Sequence, residues 1–281
     1  MHIPVLKKEV LQYLDPKPDE NFIDCTINGG GHTAAILEKN KPNGKVLGIE
    51  LDKDIFDKLS LSKTDRLVLI NDSYTNLKKI VQEHNFKAIN GILFDLGMSS
   101  WHLEESGRGF TFLKDEPLDM RYSLENDLTA EEIVNNYSPE KIEKILKEYG
   151  EERFAKRIAK RIIQQRPIKS TFQLVGIIKK AVPGKRAKIH PATRTFQALR
   201  IAVNDKLNNF KKALSQAVEV LEKHGRIVII SFHSLEDRIV KNFFKDSNLN
   251  ILTKKPITSS QGEIKINRRS RSAKLRAATK L

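Results

Sequence analysis

The first hundred residues alternate short apolar runs with amphipathic segments. Each apolar run predicts a buried strand and each amphipathic segment predicts a helix. The predicted strands are Phe22–Cys25, Val46–Glu50, Arg66–Ile70 and Ile89–Leu96. The predicted helices are His32–Asn40, Asp52–Leu59 and Thr75–His84. This alternation favours a parallel sheet that is covered by helices on both faces.

The pattern becomes helical over residues 129–182, where Thr129 and Ser170 begin capping boxes and Ser138-Pro139 begins another helix. The remaining predicted elements are a long helix over Ala192–Lys223, a strand over Gly225–Phe232 and weaker strands over Leu249–Leu252 and Glu263–Ile266. We therefore expect an α/β fold with a Rossmann-like domain, residues 1–105 and 197–281. An all-helical domain, residues 106–196, is inserted into it.

Composition narrows the class of protein. The chain has 281 residues, of which 39% are hydrophobic and 30% are charged, as in ordinary globular proteins. Its single cysteine, Cys25, excludes internal disulfides and cysteine-rich metal sites and favours a reducing cytoplasm. No apolar run approaches the roughly 20 residues of a membrane helix, and the start does not resemble a secretory signal. We expect a cytoplasmic protein without a membrane partner.

Charge is distributed unevenly along the chain. Residues 1–105 carry 13 basic and 16 acidic side chains, whereas residues 106–281 carry 37 basic and 19 acidic ones. Residues 153–204 contain 14 basic side chains and no acidic one, and residues 254–281 contain nine basic side chains and only Glu263. This asymmetry predicts a polyanionic partner, most simply a nucleic acid. The alternative is a basic surface that only aids solubility.

A glycine loop, Gly29–Gly31, lies between the first predicted strand and helix. Glycines there let the backbone approach a nucleotide cofactor, although they could also form only a tight turn. The G-x-G-x-x-G pattern is absent, which disfavours a nicotinamide-dependent oxidoreductase. Glu50 ends the second strand, where a carboxylate can bind both ribose hydroxyls, while Tyr74 and Asp95 follow the third and fourth strands. This arrangement resembles an S-adenosylmethionine site.

Several longer stretches resemble one family. They are Asp95–Ser100, Arg108–Phe112 with Leu118–Arg121, His190–Arg200 and Ser231–Lys241, supported by His2–Leu6, Tyr149–Ala155 and Arg269–Arg276. Along nearly its whole length the chain resembles the bacterial 16S ribosomal RNA (cytosine-N4) methyltransferases. The resemblance implies a class I methyltransferase domain with an inserted helical domain. It also implies S-adenosyl-L-methionine as methyl donor and a cytidine in the decoding region of 16S rRNA as acceptor.

The resemblance also implies which residues contact the cofactor. They are Gly30, Gly31, His32, Glu50, Tyr74, Asp95 and His102. The chain departs from the family's usual residues at three places: Asn28 replaces glycine, Glu50 replaces aspartate, and Trp101-His102 replaces Pro-Gln. Asparagine tolerates the left-handed backbone region, so we expect the turn at Asn28 to be kept.

The residues favour methylation of an exocyclic amine over methylation of a ring carbon. Cytosine C5 chemistry needs a cysteine nucleophile, and Cys25 precedes the cofactor loop, where it is expected to pack as a small hydrophobe. Transfer to an amine mainly requires alignment and a proton acceptor. The candidate acceptor is Asp95 or a carbonyl of the Leu96–Ser100 loop. The rival role of Asp95 is cofactor binding alone.

The sequence also predicts polar residues that surround the target base. The predicted catalytic residues are Asp95, Ser99, Ser100 and His233, and Ser231 and Ser234 are expected to shape the base pocket. Ser234–Asp237 is also expected to cap the next helix. The group His190, Arg194, His233, Glu236 and Asp237 could suggest a metal hydrolase. Because it contains no close pair of ligands, we expect no metal.

The target base must leave its stack to react. Trp101, Phe110 and Phe112 could stack on it, and core packing is the alternative for the two phenylalanines. The predicted phosphate contacts are Arg157, Arg161, Lys185, Arg186, Arg194, Arg269 and Arg271. The expected partner is 16S rRNA within the 30S subunit, with no DNA, and the protein is expected to be a monomer or dimer. The alternatives are a non-catalytic ribosomal RNA-binding assembly factor and a methyltransferase acting on another nucleic acid.

Overall fold

A computed structural model describes residues 3–60, 64–183 and 189–281. The chain divides into two compact units. The first comprises Met1–Met98 and Leu207–Leu281, and the second comprises Ser99–Lys206. Within the described ranges, no helix combines the length and the apolar character that crossing a bilayer requires.

The first unit contains one sheet. Its strands are β1 (Asn21–Asp24), β2 (Val46–Glu50), β3 (Leu67–Asn71), β4 (Ile89–Asp95), β5 (Arg226–Ser231), β6 (Leu249–Ile251), β7 (Ile257–Thr258) and β8 (Lys274–Lys280). The strand order is β3-β2-β1-β4-β5-β8-β6, with β7 also paired to β8. The five strands β1 to β5 are parallel, and β8 runs antiparallel to its neighbours. This topology confirms the predicted Rossmann-like class I fold.

The helices are distributed over both units. They are α1 (Lys7–Leu14), α2 (Gly31–Lys39), α3 (Lys53–Ser60), α4 (Leu77–Glu83), α5 (Ser100–Glu104), α6 (Ala130–Asn136), α7 (Pro139–Gly150), α8 (Ala155–Gln164), α9 (Thr171–Ala181), α10 (Ala192–Val203), α11 (Lys206–Val220), α12 (Ser234–Asp246) and α13 (Gln261–Ile266). Short 3-10 turns occupy Tyr74–Asn76 and Arg268–Ser272.

The parallel strands β1, β2, β4 and β5 are buried on both faces, as expected for strands that are continuous apolar runs. Successive strand residues point to opposite faces. Phe22 therefore packs in one apolar cluster with Leu93, whereas Ile23 packs in the other with Ile92. All four side chains are fully buried.

The second unit has its own apolar core, which includes Leu146, Ile158 and Phe196. The predicted caps are confirmed: the hydroxyls of Thr129 and Ser138 accept hydrogen bonds from backbone N–H groups three residues ahead. Ser170 caps α9 in the same way. Within the described residues, the regular elements of this unit are helices.

The predicted long helix over Ala192–Lys223 is wrong, because the structure has two helices, α10 and α11, in its place. Asp205, between them, has a left-handed backbone with φ of 43°. The Asn204 side chain is engaged by the backbone of Met120 and Tyr122. This break lies near the end of the second compact unit, Ser99–Lys206. The domain bounds 106–196 stay a prediction.

The tail also differs from the prediction. Glu263–Ile266 belongs to helix α13 and not to a strand, because the Ser260 hydroxyl caps that helix by accepting from the N–H of Glu263. Strands β7 and β8 were not predicted. β8 lies between β5 and β6 inside the sheet, so much of the basic tail is structural.

Gly150 allows close packing of α7 on α10. A Cβ added there would lie 2.7 Å from the carbonyl oxygen of Arg194. We expect Gly150→Ala to lower the free energy of unfolding by about 1–3 kcal/mol, measured by urea denaturation, because the two backbones must separate. Gly176→Ala in α9 is the matched control: a Cβ there meets nothing within 4 Å, and alanine should stabilise that helix by about 0.5–1 kcal/mol. Equal effects of both substitutions would contradict the packing argument.

Candidate active site

The glycine loop joins β1 to α2 through a sharp turn. Asn28 and Gly30 both have left-handed backbones, with φ of 48° and 72°. The prediction that Asn28 keeps the turn is confirmed, and its side-chain amide donates to the Thr26 carbonyl at 2.9 Å. A Cβ on Gly31 would lie 3.1 Å from the Pro4 ring, so Pro4 packs directly on the loop. These contacts fix the loop at the carboxyl end of β1.

Glu50 ends β2 and is only 7% exposed. One carboxylate oxygen accepts from the N–H of Asn28 at 3.1 Å, and the other accepts from the N–H of Asp52 at 2.9 Å. Burial raises the pKa of Glu50 to about 8; the two N–H donors oppose this shift, and the neighbouring Asp52 charge adds to it. The carboxyl group is thus tied to the glycine loop and is costly to ionise in the free protein.

Asp95 ends β4, next to β1 in the sheet. Its Oδ1 accepts from the N–H of Gly97 at 3.0 Å, and its Oδ2 lies 3.5 Å from Nε2 of His32. Neither ring nitrogen of the buried His32 makes a hydrogen bond within the part of the chain that the structure describes. The structure therefore brings together His32 and Asp95, two of the predicted site residues.

Asp24 also belongs to this cluster, although sequence reasoning gave it no role. It ends β1, is 1% exposed and accepts from the Thr33 hydroxyl at 2.7 Å. Burial raises its pKa, and the nearby His32 and the Thr33 hydrogen bond oppose that shift. The sequence feature that points to Asp24 is its position at the carboxyl end of a strand, five residues before Gly29. Thr26 was missed as well: its hydroxyl accepts from the N–H of Asp95 at 2.6 Å.

These residues fit S-adenosylmethionine. Asp24, Glu50 and Asp95 offer carboxylate oxygens at one edge of the sheet, which suits ribose hydroxyls and a cationic sulfonium and ammonium. The buried ring of His32 offers nitrogen atoms that still lack a hydrogen-bond partner in the described chain. Gly30 gives the loop a backbone conformation that few side chains allow.

Tyr74 begins the 3-10 turn after β3 and is half-buried. Its ring packs edge-on against Phe94, with centroids 6.0 Å apart. This contact holds the aromatic ring near the same edge of the sheet, where a contact with adenine was predicted.

Ser99, Ser100 and His102 lie in the second unit. Ser99 caps α5, and its hydroxyl lies 2.8 Å from Nδ1 of His102. Both side chains are buried. Ser100 is the first residue of α5 and is half-buried. Their predicted catalytic and cofactor roles stay predictions.

The aromatic candidates for base stacking differ in exposure. Phe110 is fully buried and stacks on Tyr122, so the core alternative holds for it. Phe112 is half-buried, with its ring stacked 4.7 Å from that of His190. Trp101 is also half-buried and has the Arg108 guanidinium 4.9 Å from its ring.

His233 is the N-cap of α12, a position that the sequence assigned to Ser234–Asp237. Its Nδ1 accepts from the N–H of Glu236, and its Nε2 lies 3.0 Å from a Glu236 carboxylate oxygen. Ser231 is buried, and its hydroxyl donates to the Lys274 carbonyl at 3.3 Å. These contacts give His233 and Ser231 structural roles, and their predicted roles at the target base stay predictions. In the described residues no three His, Cys, Asp or Glu side chains are grouped to hold a metal.

The predicted phosphate contacts fall on several elements. Arg157 is exposed on α8, and Arg161 and Arg194 are half-buried. Lys185 and Arg186 lie outside the described residues. Arg269 and Arg271 belong to the 3-10 turn before β8. Arg276 is instead paired with Asp237 at 2.7 Å and is only 8% exposed, which removes it from the basic surface.

The raised pKa of Glu50 predicts a pH dependence of stability. The folded-state value of about 8 lies above the ordinary 4.5, so the cofactor-free protein binds this proton more tightly when folded. The stabilising contribution is complete below about pH 4.5 and is lost as the pH rises through about 8, by at most about 1.4 kcal/mol per pH unit. Urea unfolding across this window should show the loss in the wild type and a flatter profile in Glu50→Gln. Parallel profiles would contradict the assignment.

The parallel sheet, the fixed glycine loop and the acids at its carboxyl edge define an S-adenosylmethionine-dependent methyltransferase of class I. The chain belongs to the MraW methylase family, whose family model matches residues 1–281.

Two relatives with 46–47% identity support this membership over nearly their full length. The chain is 47% identical to ribosomal RNA small subunit methyltransferase H of Thermosipho melanesiensis, covering 100% of this chain and 98% of that protein. It is 46% identical to the protein of the same name from Thermotoga neapolitana, covering 99% of this chain and 95% of the relative. A solved putative methyltransferase from Streptococcus mutans, in complex with SAH, is 13% identical with a TM-score of 0.48 and complete coverage of both chains.

Proposed function

We propose that this methylase transfers a methyl group from S-adenosylmethionine to the exocyclic N4 of a cytidine in the decoding region of 16S rRNA. The observation that carries the proposal is the buried acid cluster at the glycine loop, with Asp95 beside His32, in a chain 47% identical to a protein named for small-subunit ribosomal RNA. The substrate is the RNA within the 30S subunit, because structured RNA is recognised largely by shape. The place of action is then the cytoplasm.

Each site residue has a separate role in the proposed reaction. When bound, S-adenosylmethionine supplies an electrophilic methyl group on its sulfonium. Glu50 would hold the ribose, and the turn around Gly30 would contact the methionyl part. Asp95 accepts a hydrogen bond from the amine and receives its proton. Methyl transfer would form the N4–carbon bond as the sulfur–carbon bond breaks, with the amine proton passing to Asp95, so no covalent enzyme intermediate would be needed.

Cys25 supports amine chemistry over C5 chemistry. It is 1% exposed, and its backbone N–H donates to the Leu93 carbonyl, inside the sheet. Burial raises the pKa of its thiol well above the ordinary value, and the Asp24 charge adds to the shift. A thiol held neutral and enclosed is a poor nucleophile.

The test is methyl transfer from labelled S-adenosylmethionine to 30S subunits that lack the modification, followed by nucleoside mass spectrometry. Label in N4-methylcytidine is the expected result. Label in another nucleoside would keep the methyltransferase and reject the target. Binding of the cofactor without any transfer would contradict the proposed substrate. RNA binding without cofactor binding would favour a non-catalytic assembly factor.

A further inference from the structure

Several charged groups of the basic tail are engaged within the fold. Lys274 and Arg276 both contact the Asp237 carboxylate, at 3.5 and 2.7 Å. The Lys280 ammonium donates to the Leu221 carbonyl at 2.5 Å. Glu263 is the only acidic residue of the tail. One of its carboxylate oxygens accepts a hydrogen bond from the backbone N–H of Leu6 at 2.7 Å. On the 3-10 turn before β8, in contrast, the side chains of Arg268 and Arg271 are exposed.

The arginine turn, residues Arg268–Ser272, lines a surface pocket. The lining residues are Ile264, Arg268, Arg269, Arg271 and Ser272. They include three guanidinium groups and no acid. Arg268 and Arg271 are exposed. The exposed guanidinium groups of Arg268 and Arg271 line the same pocket and carry like charges, and an anion bound between them would relieve their repulsion.

The arginine turn is fixed before any ligand binds. Ser270 at its centre is fully buried, and its hydroxyl donates to the Asn267 carbonyl at 2.8 Å. The Asn267 side-chain oxygen accepts from the N–H of Arg269 at 3.2 Å. The buried serine therefore anchors the backbone while the arginines on either side of it face the pocket. Such preorganisation lowers the entropic cost of binding.

The turn lies at the catalytic edge of the sheet. Lys274, which follows it, pairs with Ser231 at the carboxyl end of β5, and Asp95 pairs with Ile230 on the same strand. The side-chain amide of Asn267 donates to the Ile3 carbonyl at 3.0 Å, and the adjacent Pro4 packs on Gly31 of the glycine loop. The N-terminal segment thus bridges the arginine turn and the cofactor loop.

We propose that the arginine turn binds a phosphodiester of the RNA strand that carries the target nucleotide. The identity of the bound RNA rests on the proposed function. The binding itself follows from the chemistry of guanidinium groups, which donate paired hydrogen bonds to phosphate oxygens. A phosphate held beside the cofactor loop would set the position of the strand without reading its sequence.

The test measures binding of the fluorescently labelled protein to 30S subunits that lack the modification, by fluorescence anisotropy over a range of salt concentrations. Arg268→Ala/Arg271→Ala should weaken binding about tenfold and lower the slope of log K against log salt by about 1.4, as expected for two lost contacts to single-stranded RNA. Cofactor affinity, measured by calorimetry, should stay unchanged. Arg268→Lys/Arg271→Lys keeps both positive charges and should keep most of the salt dependence of binding. This result would show that the alanine variant lost affinity through its lost charges and not through misfolding.

Lys254→Ala/Lys255→Ala is the matched control, because it removes two exposed charges from the same tail outside the turn. An equal loss in this control, or full RNA affinity in the arginine variant, would overturn the proposal. Thermal protection by inorganic phosphate with no change in RNA affinity would identify a small-anion site instead and would also overturn it. The RNA-binding measurement does not depend on turnover, so failure of the methyl-transfer assay remains a separate result.

Discussion

Asp95→Asn should lower the rate of methyl transfer by about 10²–10⁴-fold, the usual contribution of a positioned proton acceptor. The carboxamide oxygen can still accept from the N–H of Gly97, so the loop after β4 keeps its anchor. The amide cannot receive the proton of the amine. Single-turnover transfer to 30S subunits measures the rate, and calorimetry measures cofactor affinity, which should change by no more than a few-fold.

Asp72→Asn is the matched control for this variant. Asp72 follows β3 at the same edge of the sheet, and its carboxylate accepts from the side-chain amide of Asn76 at 2.9 Å. If charge at this edge acted only through long-range attraction of the cationic cofactor, both variants would lose cofactor affinity alike. Loss of affinity alone in Asp95→Asn would leave that residue a cofactor ligand and reject its role as proton acceptor.

The site residues that lie at the carboxyl end of a strand could be predicted from the sequence. Glu50 and Asp95 stand directly after apolar runs, and parallel strands bring such ends to one edge. The partners of these residues could not be predicted, because they depend on register and side-chain direction. Thr26 shows this, because its hydroxyl reaches the N–H of Asp95 only after β1 has paired with β4.

The elements that sequence patterns missed are held by distant contacts. Strand β8 contains three basic residues, and its Arg276 can be buried because the Asp237 carboxylate pairs with it. The break after α10 depends on Asn204, whose side chain binds the backbone of Met120 and Tyr122. Local periodicity cannot contain either signal, since both partners lie far away in the chain.

Glu50→Gln should weaken S-adenosylmethionine binding by about 10–100-fold, because hydrogen bonds to a charged group contribute roughly 1.5–3 kcal/mol. With a pKa of about 8 in the free protein, the wild-type carboxyl is mostly protonated at neutral pH. Ribose hydroxyls donate to the ionised form and favour it, so binding should release a proton.

Calorimetry of cofactor binding in two buffers of different ionisation enthalpy measures that proton. The wild type should release one near neutral pH, and Glu50→Gln should release none. Glu50→Asp is the conservative control: it keeps a carboxylate on a shorter arm and should retain affinity within a few-fold. Two results would show that Glu50 does not bind the ribose. One is a binding enthalpy of the wild type that does not depend on the buffer, and the other is undiminished cofactor affinity in Glu50→Gln. The buried carboxyl group would then have only a structural role, in which its hydrogen bonds to the N–H groups of Asn28 and Asp52 stabilise the glycine loop.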